Sequence, residues 1–107
     1  MKNLFDLPGS NTQEIMESII EKGRLGDKSA IKIERILSYG QATPADYYYD
    51  QNWDEWVMVL QGEAILSYDD GRGEDLRRGD SLLIKKGERH RVDYASEDCI
   101  WIAVHYS

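Results

Sequence analysis

The sequence lacks the features of a disulfide-rich secreted protein and of a membrane protein. Its only cysteine is Cys99, so an intrachain disulfide is impossible, and the apolar neighbours of this residue predict a buried, inert thiol. The longest apolar runs, residues 56–60 and 100–104, are far shorter than the roughly 20 residues of a membrane-spanning helix. Residues 1–10, MKNLFDLPGS, contain no long apolar segment and no small-residue cleavage site, so no signal peptide is predicted. These absences predict a cytoplasmic protein that does not associate with membranes.

Positive charge is scarce as well. The 107 residues include 13 lysines and arginines against 20 aspartates and glutamates, which gives a formal net charge of −7. Such a chain repels phosphates and has no basic stripe that could release counterions, so nucleic acid is excluded as a partner. A small neutral or cationic molecule, or a metal ion, suits the charge better. The sequence also lacks motifs for a nucleophilic Ser or Cys and for a glycine-rich phosphate loop.

The length predicts one domain with a single core. Residues 1–29 are predicted to form an N-terminal arm and one short helix, followed by β-structure over residues 30–107. The helix is predicted over about 12–22. This segment has an N-cap, three isoleucines on one helical face and a terminal glycine: Asn11, Ile15, Ile19, Ile20 and Gly23.

From residue 30 onward, apolar and polar residues alternate as is typical of strands. Turn residues divide this region, and Asp69-Asp70-Gly71 is a strong hairpin signal. No helix is predicted between consecutive strands, which excludes parallel βαβ units. The pattern therefore predicts an all-β fold, either a sandwich or a barrel. Strands are predicted at residues 63–68, 74–77, 81–84, 90–94 and 100–106, among others.

Two spaced motifs lie within the β-region. The first, EWVMVLQG, runs from Glu55 to Gly62, and the second, GDSLLIKKGERH, runs from Gly79 to His90. In these two motifs the sequence resembles the cupins, small β-barrels with jelly-roll topology. The resemblance implies a single cupin jelly-roll barrel over residues 30–107, and it also implies a homodimer.

The resemblance further implies a metal site, but with altered ligands. Metal-binding cupins place two histidines, one residue apart, ahead of the Glu of the first motif, and here Tyr49 and Gln51 occupy those places. The implied ligands of one divalent metal ion are therefore Glu55, His90, Gln51 and Tyr49. Gln and Tyr are poorer ligands than imidazole, so a weakened site is expected. The alternative is that Glu55 and His90 bond to each other, or to tyrosine hydroxyls, inside a partly polar barrel.

Three further residues are candidates for a ligand pocket: Trp53, Tyr94 and His105. Trp53 belongs to an aromatic run that suits either the mouth of a small-molecule pocket or a dimer interface. Tyr94 replaces the final Asn of the second motif. His105 is either a replacement ligand or a packed residue of the last strand.

The function predicted from these observations is small-molecule binding inside the barrel, with or without a divalent metal. A metal-dependent enzyme of the isomerase or dioxygenase type is one alternative, and a sensing module without chemistry is another. Paired Glu55 and His90 could also move a proton without a metal. Whether the protein is an enzyme stays open, since one cupin scaffold supports many activities.

Overall fold

The computed structural model describes residues 3–7 and 13–107. Eight strands form the regular structure of this part of the chain, and neighbouring strands pair antiparallel. No helix that could cross a membrane is found in these residues. The strands are β1 (Ile15–Lys22), β2 (Ile31–Ser38), β3 (Asp54–Gln61), β4 (Glu63–Tyr68), β5 (Gly73–Arg77), β6 (Ser81–Ile84), β7 (His90–Ala95) and β8 (Cys99–Tyr106).

The strands form two sheets. A five-stranded sheet has the order β1-β2-β8-β3-β6, and a three-stranded sheet has the order β5-β4-β7. Alternate side chains of both sheets meet in one core, which includes Val59 and Trp101 from the larger sheet and Leu66 and Leu76 from the smaller. This architecture confirms the all-β fold, with the hydrophobic faces of two antiparallel sheets packed against each other.

The segment predicted as a helix over 12–22 is instead a strand, and the described residues contain no α-helix. β1 pairs with β2 along its length, because β-branched isoleucines pack well on a sheet and the edge of β2 supplies hydrogen bonds. The register shifts between Ser18 and Ile20, which is a β-bulge, so the isoleucines of β1 do not follow a two-residue period. The expected cap, Asn11, lies outside the described residues.

A tight turn at Gly62 joins the two sheets. This glycine has a φ angle of +80°, and a Cβ at this position would lie 2.9 Å from Cα of Cys99. Only glycine fits such a backbone comfortably. Cys99 itself is 1% exposed, and burial raises the pKa of its thiol to about 12. The predicted burial of this thiol is confirmed.

Candidate functional site

A cavity of about 270 Å³ lies between the inner faces of the two sheets. Most of its lining is apolar, as is common in sites for small molecules, and three aromatic side chains contribute to it: Tyr49, Trp53 and Trp101. Its charged lining groups are three carboxylates and one ammonium: Glu14, Glu34, Glu55 and Lys32. The cavity is therefore both aromatic and acidic.

Glu55 is the central carboxylate. Glu55 lies near the start of β3 and is 7% exposed. Its Oε1 accepts a hydrogen bond of 2.9 Å from Nε2 of Gln51. Nε2 of His90 and Nδ1 of His105 each lie 3.9 Å from the same oxygen. These two separations are too long for hydrogen bonds. The fold thus brings Glu55 and His90 together, as the sequence predicts, but the direct bond between them is not formed.

His90 is held by the backbone rather than by Glu55. Its Nδ1 lies 3.0 Å from the carbonyl oxygen of Glu88, which can only accept, so Nδ1 carries the proton. Backbone hydrogen bonds in both directions between His90 and Tyr49 fix the main chain from which the ring projects. In the neutral imidazole, Nε2 of His90 consequently carries the lone pair, and it lies on the side of the ring towards Glu55.

His105 lies on β8 at the centre of a buried polar chain. Nδ1 accepts a hydrogen bond of 2.9 Å from the indole of Trp53, and Nε2 lies 2.9 Å from Oε1 of Glu34. An indole N–H only donates, so the proton of His105 lies on Nε2 and is donated to the carboxylate. This hydrogen bond lowers the pKa of Glu34 although burial opposes it.

Glu34 and Glu14 are site residues that the sequence did not identify. Glu34 shares the inner face of β2 with Ile36, but alternation along β2 does not show which of its two faces is buried. The carboxylate of Glu14 accepts a hydrogen bond of 3.0 Å from the hydroxyl of Ser38, which accepts one of 3.0 Å from the indole of Trp101. Burial of the carboxylate raises the pKa of Glu14, and the charge of Glu34 adds to this effect.

The residues predicted for the site are not all in the cavity. Five of them line it: Tyr49, Gln51, Trp53, Glu55 and His105. His90 is buried beside them. Burial raises the pKa of Tyr49, with a further contribution from the charge of Glu14.

Tyr94 lies outside the cavity, which corrects its expected role in the pocket. It is 44% exposed and pairs with Ile65, which is also exposed, on the outer face of the smaller sheet. A bulge between β4 and β7 places Asp93 out of register, so Val92 lines the cavity while Tyr94 does not. A regular strand would have put both residues on one face.

The carboxylate, thiol and imidazole side chains of the described residues do not by themselves form a divalent metal site. Among residues 3–7 and 13–107, no group of three or more His, Cys, Asp and Glu side chains could hold one. Oε1 of Glu55 is occupied by an N–H of Gln51, whose amide oxygen therefore points elsewhere. Nδ1 of His105 is occupied by Trp53 in the same way. A tight site needs three or four free donors around one point.

Residues 36–105 match the family described as the cupin domain. This chain belongs to the cupin family. The match starts within β2 and ends within β8, so it contains Glu55, His90 and His105. It does not contain Glu14 or Glu34, which explains why the resemblance gave no signal for these two carboxylates.

The cupin is similar to several known proteins. A solved structure named as a "putative mannose-6-phosphate isomerase" of Ralstonia eutropha JMP134 is 38% identical, with a TM-score of 0.86 over 100% of this chain and 97% of that one. An RmlC-like cupin protein of a Desulfovibrio desulfuricans subspecies is 20% identical, with a TM-score of 0.69 over 99% of this chain and 96% of that one, and shows the shared fold alone. The uncharacterized protein YdbB of Bacillus subtilis (strain 168) is 38% identical over 47 residues, which are 44% of this chain and 42% of that protein.

Proposed function

We propose that this cupin binds a small organic molecule in the cavity between its sheets. The observation that carries the proposal is the cavity itself, about 270 Å³ in volume, with an apolar and aromatic lining and a few oriented polar groups. Each of its carboxylates accepts a hydrogen bond from a neighbouring side chain. The binding groups are thus preorganised, which reduces the entropy lost when a ligand is bound.

Two tryptophans in the lining give a direct test. Binding should change the fluorescence of Trp53 or Trp101. It should also raise the midpoint of thermal unfolding, by an amount that grows with the logarithm of the ligand concentration once the site is nearly saturated. A screen of small polar and charged organic molecules should contain ligands that do both. Glu55→Gln should weaken their binding, whereas Glu63→Gln, at an exposed position of β4, should not. A screen in which no compound produces either signal would contradict the proposal.

A second candidate is proton transfer within the bound molecule. Two observations favour it. The imidazoles of His90 and His105 flank Glu55, each 3.9 Å from the same carboxylate oxygen. The similar protein from Ralstonia eutropha is named as a putative isomerase. In an aldose–ketose isomerisation, Glu55 would move a proton from C2 to C1, and the lone pair of His90 would carry the hydroxyl proton from O2 to O1, so that the aldehyde becomes a hydroxyl group and C2 becomes the ketone. The carboxylates of the cavity disfavour a phosphate, so an unphosphorylated sugar suits this chain better.

The isomerase candidate is tested with mannose and mannose 6-phosphate as alternative substrates. Conversion of either one to the ketose, lost in Glu55→Gln and retained in Glu63→Gln, would support it. Binding of a sugar without conversion would leave the protein as a binding module. Metal analysis belongs to the same experiment: stoichiometric metal that Glu55→Gln removes would show that the donor set can rearrange around an ion.

The expected homodimer and cytoplasmic location also remain proposals. The dimer is supported by apolar side chains on the outer face of the larger sheet, which include Ile20 and Leu83 at its two edges. A cytoplasmic location is supported by the free, buried thiol of Cys99. Localisation of a tagged protein in cell fractions would test the second point.

A further inference from the structure

The cavity contains more negative than positive charge. Three carboxylates line it, and Nζ of Lys32 lies 3.6 Å from one of them, Oε2 of Glu34. The hydrogen bonds of His105 leave no second positive charge, because a proton on Nδ1 would oppose the indole N–H of Trp53. Among the described residues, Lys32 is the one lysine or arginine that lines the cavity, and it pairs with Glu34. A ligand that enters this site therefore meets Glu14 and Glu55, which have no such ion pair.

Glu55 provides a second, independent observation. The side chain is nine-tenths buried and lines the cavity, and Oε1 accepts a hydrogen bond from Gln51. In the described part of the chain, no group donates to Oε2. The two imidazole nitrogens near Oε1 lie 3.9 Å from it, too far for a hydrogen bond. Glu55 is thus a largely buried carboxylate with one bonded oxygen, Oε1, and one oxygen, Oε2, that is not sealed off from the cavity and can accept a hydrogen bond from a ligand.

The aromatic lining suits the same kind of ligand. Tyr49, Trp53 and Trp101 contribute to the cavity wall, and the faces of such rings attract cations electrostatically. The volume of about 270 Å³ lies near the lower end of the range for small-molecule sites. A compact apolar body that carries one positive charge would contact the walls and satisfy a carboxylate at once.

We propose that the ligand of this cupin is a small organic ammonium ion whose N–H group donates to Oε2 of Glu55. This inference rests on the proposed function, since it names the chemical class of the molecule that the cavity binds. The ammonium supplies the missing donor to Glu55, and the apolar body of the ligand packs against the aromatic wall. Neutral molecules of the same shape lack the charge, and anions are repelled.

A matched series of three probes tests the inference by calorimetry on the full-length protein. Cyclohexylamine, cyclohexanol and cyclohexanecarboxylate share one ring and differ in charge, being cationic, neutral and anionic at neutral pH. The amine should bind at least about tenfold more tightly than the alcohol, because a charge-assisted hydrogen bond replaces a neutral one. The carboxylate should bind most weakly. The trimethylammonium derivative of the amine has no N–H. It should therefore lose most of the amine's advantage in affinity over the alcohol.

The variant Glu55→Gln should reduce the preference for the amine over the alcohol to within about threefold, and the exposed control Glu63→Gln should leave it unchanged. The order of the three probes on the unaltered protein does not depend on how well the variant folds. Equal or tighter binding of the alcohol or the carboxylate would overturn the ammonium inference and leave the proposed function standing. Failure of all three probes, together with an empty ligand screen, would overturn both.

Discussion

The two histidines of this chain are held in opposite tautomers by their hydrogen bonds. Nδ1 of His90 donates to a carbonyl oxygen, whereas Nδ1 of His105 accepts from Trp53. The proton of His90 therefore lies on Nδ1 and that of His105 on Nε2. The tautomers decide which nitrogens can act as bases, since only the lone pair of His90 is unoccupied.

Heteronuclear NMR of the ring nitrogens should resolve these tautomers at neutral pH. The chain contains 2 histidines, so two sets of resonances are expected, one typical of the Nδ1–H form and one of the Nε2–H form. Trp53→Phe removes the indole donor and should shift the set of His105 while the set of His90 stays in place. Two sets of the same form, or a shift of both in the variant, would show that the hydrogen-bond assignment is wrong.

Glu34 should make stability depend on pH. Its hydrogen bond with His105 lowers its pKa from the ordinary value of 4.5, so the folded state favours the ionised carboxylate. The resulting stabilisation is present above pH 4.5 and is lost as the pH falls through the lower folded-state pKa. Glu34→Gln should reduce the free energy of unfolding by about 1–3 kcal/mol at neutral pH and by less in acid.

Urea denaturation of both proteins between about pH 3 and pH 7 measures this difference. The exposed Glu63→Gln is the matched control and should show a smaller change with no such trend. A difference between wild type and Glu34→Gln that stays constant, or that grows as the pH falls, would contradict the assigned hydrogen bond.

Glu55 and His90 could be predicted from the sequence because both lie in motifs with fixed spacing. Glu34 could not, because an acidic residue in an alternating strand normally faces solvent. What buries Glu34 is its partner His105, which is 71 residues away in sequence and next to it only after β2 pairs with β8. Contacts of this kind depend on which strands pair, and the alternation within one strand does not reveal its partner.

At the level of the strands, the turn between β3 and β4 depends on Gly62. Gly62→Ala forces a Cβ into a left-handed conformation and within 2.9 Å of the backbone of Cys99. Gly71 is a matched control, because its φ angle is +95° and no atom lies within 4 Å of an added Cβ. Gly71→Ala should cost about 1 kcal/mol for the backbone alone, and Gly62→Ala about 2 kcal/mol or more. Thermal unfolding should therefore show the larger loss for Gly62→Ala, and equal losses would exclude the predicted clash.

β-Bulges explain both points at which the strand-level prediction failed. In β1 the bulge near Ser18 adds a residue to the strand and interrupts the alternation of apolar and polar side chains. The isoleucines of β1 therefore have a spacing that resembles that of an amphipathic helix. In β7 the bulge at Asp93 turns Tyr94 outward, although its sequence position matches the family motif. Regular strands such as β8 were predicted almost to the residue, because their alternation is uninterrupted.

At the level of the whole molecule, an apolar row crosses the outer face of the larger sheet. Its members are cross-strand neighbours in the order of the strands: Ile20, Ile33, Val104, Trp56 and Leu83. Each is partly or largely exposed, and each precedes or follows a residue that points inward. A sheet face of this kind can pack on its own copy with strands at about 30°, as in β-sandwiches, and a stable dimer would bury roughly 1,200–2,000 Å².

The apolar row predicts a homodimer. A charged side chain introduced at the end of the row should weaken the association of the two copies. Leu83→Glu places a carboxylate on the row at a position that is 42% exposed, so the fold should tolerate it while the interface should not. Ile65→Glu is the control, since Ile65 is 40% exposed on the smaller sheet, away from the row. Analytical ultracentrifugation should find dimers of the wild type and of Ile65→Glu, and a dissociation constant at least about tenfold higher for Leu83→Glu. A wild type that stays monomeric at high concentration, or a dimer that only Ile65→Glu disrupts, would show that the row is not the interface.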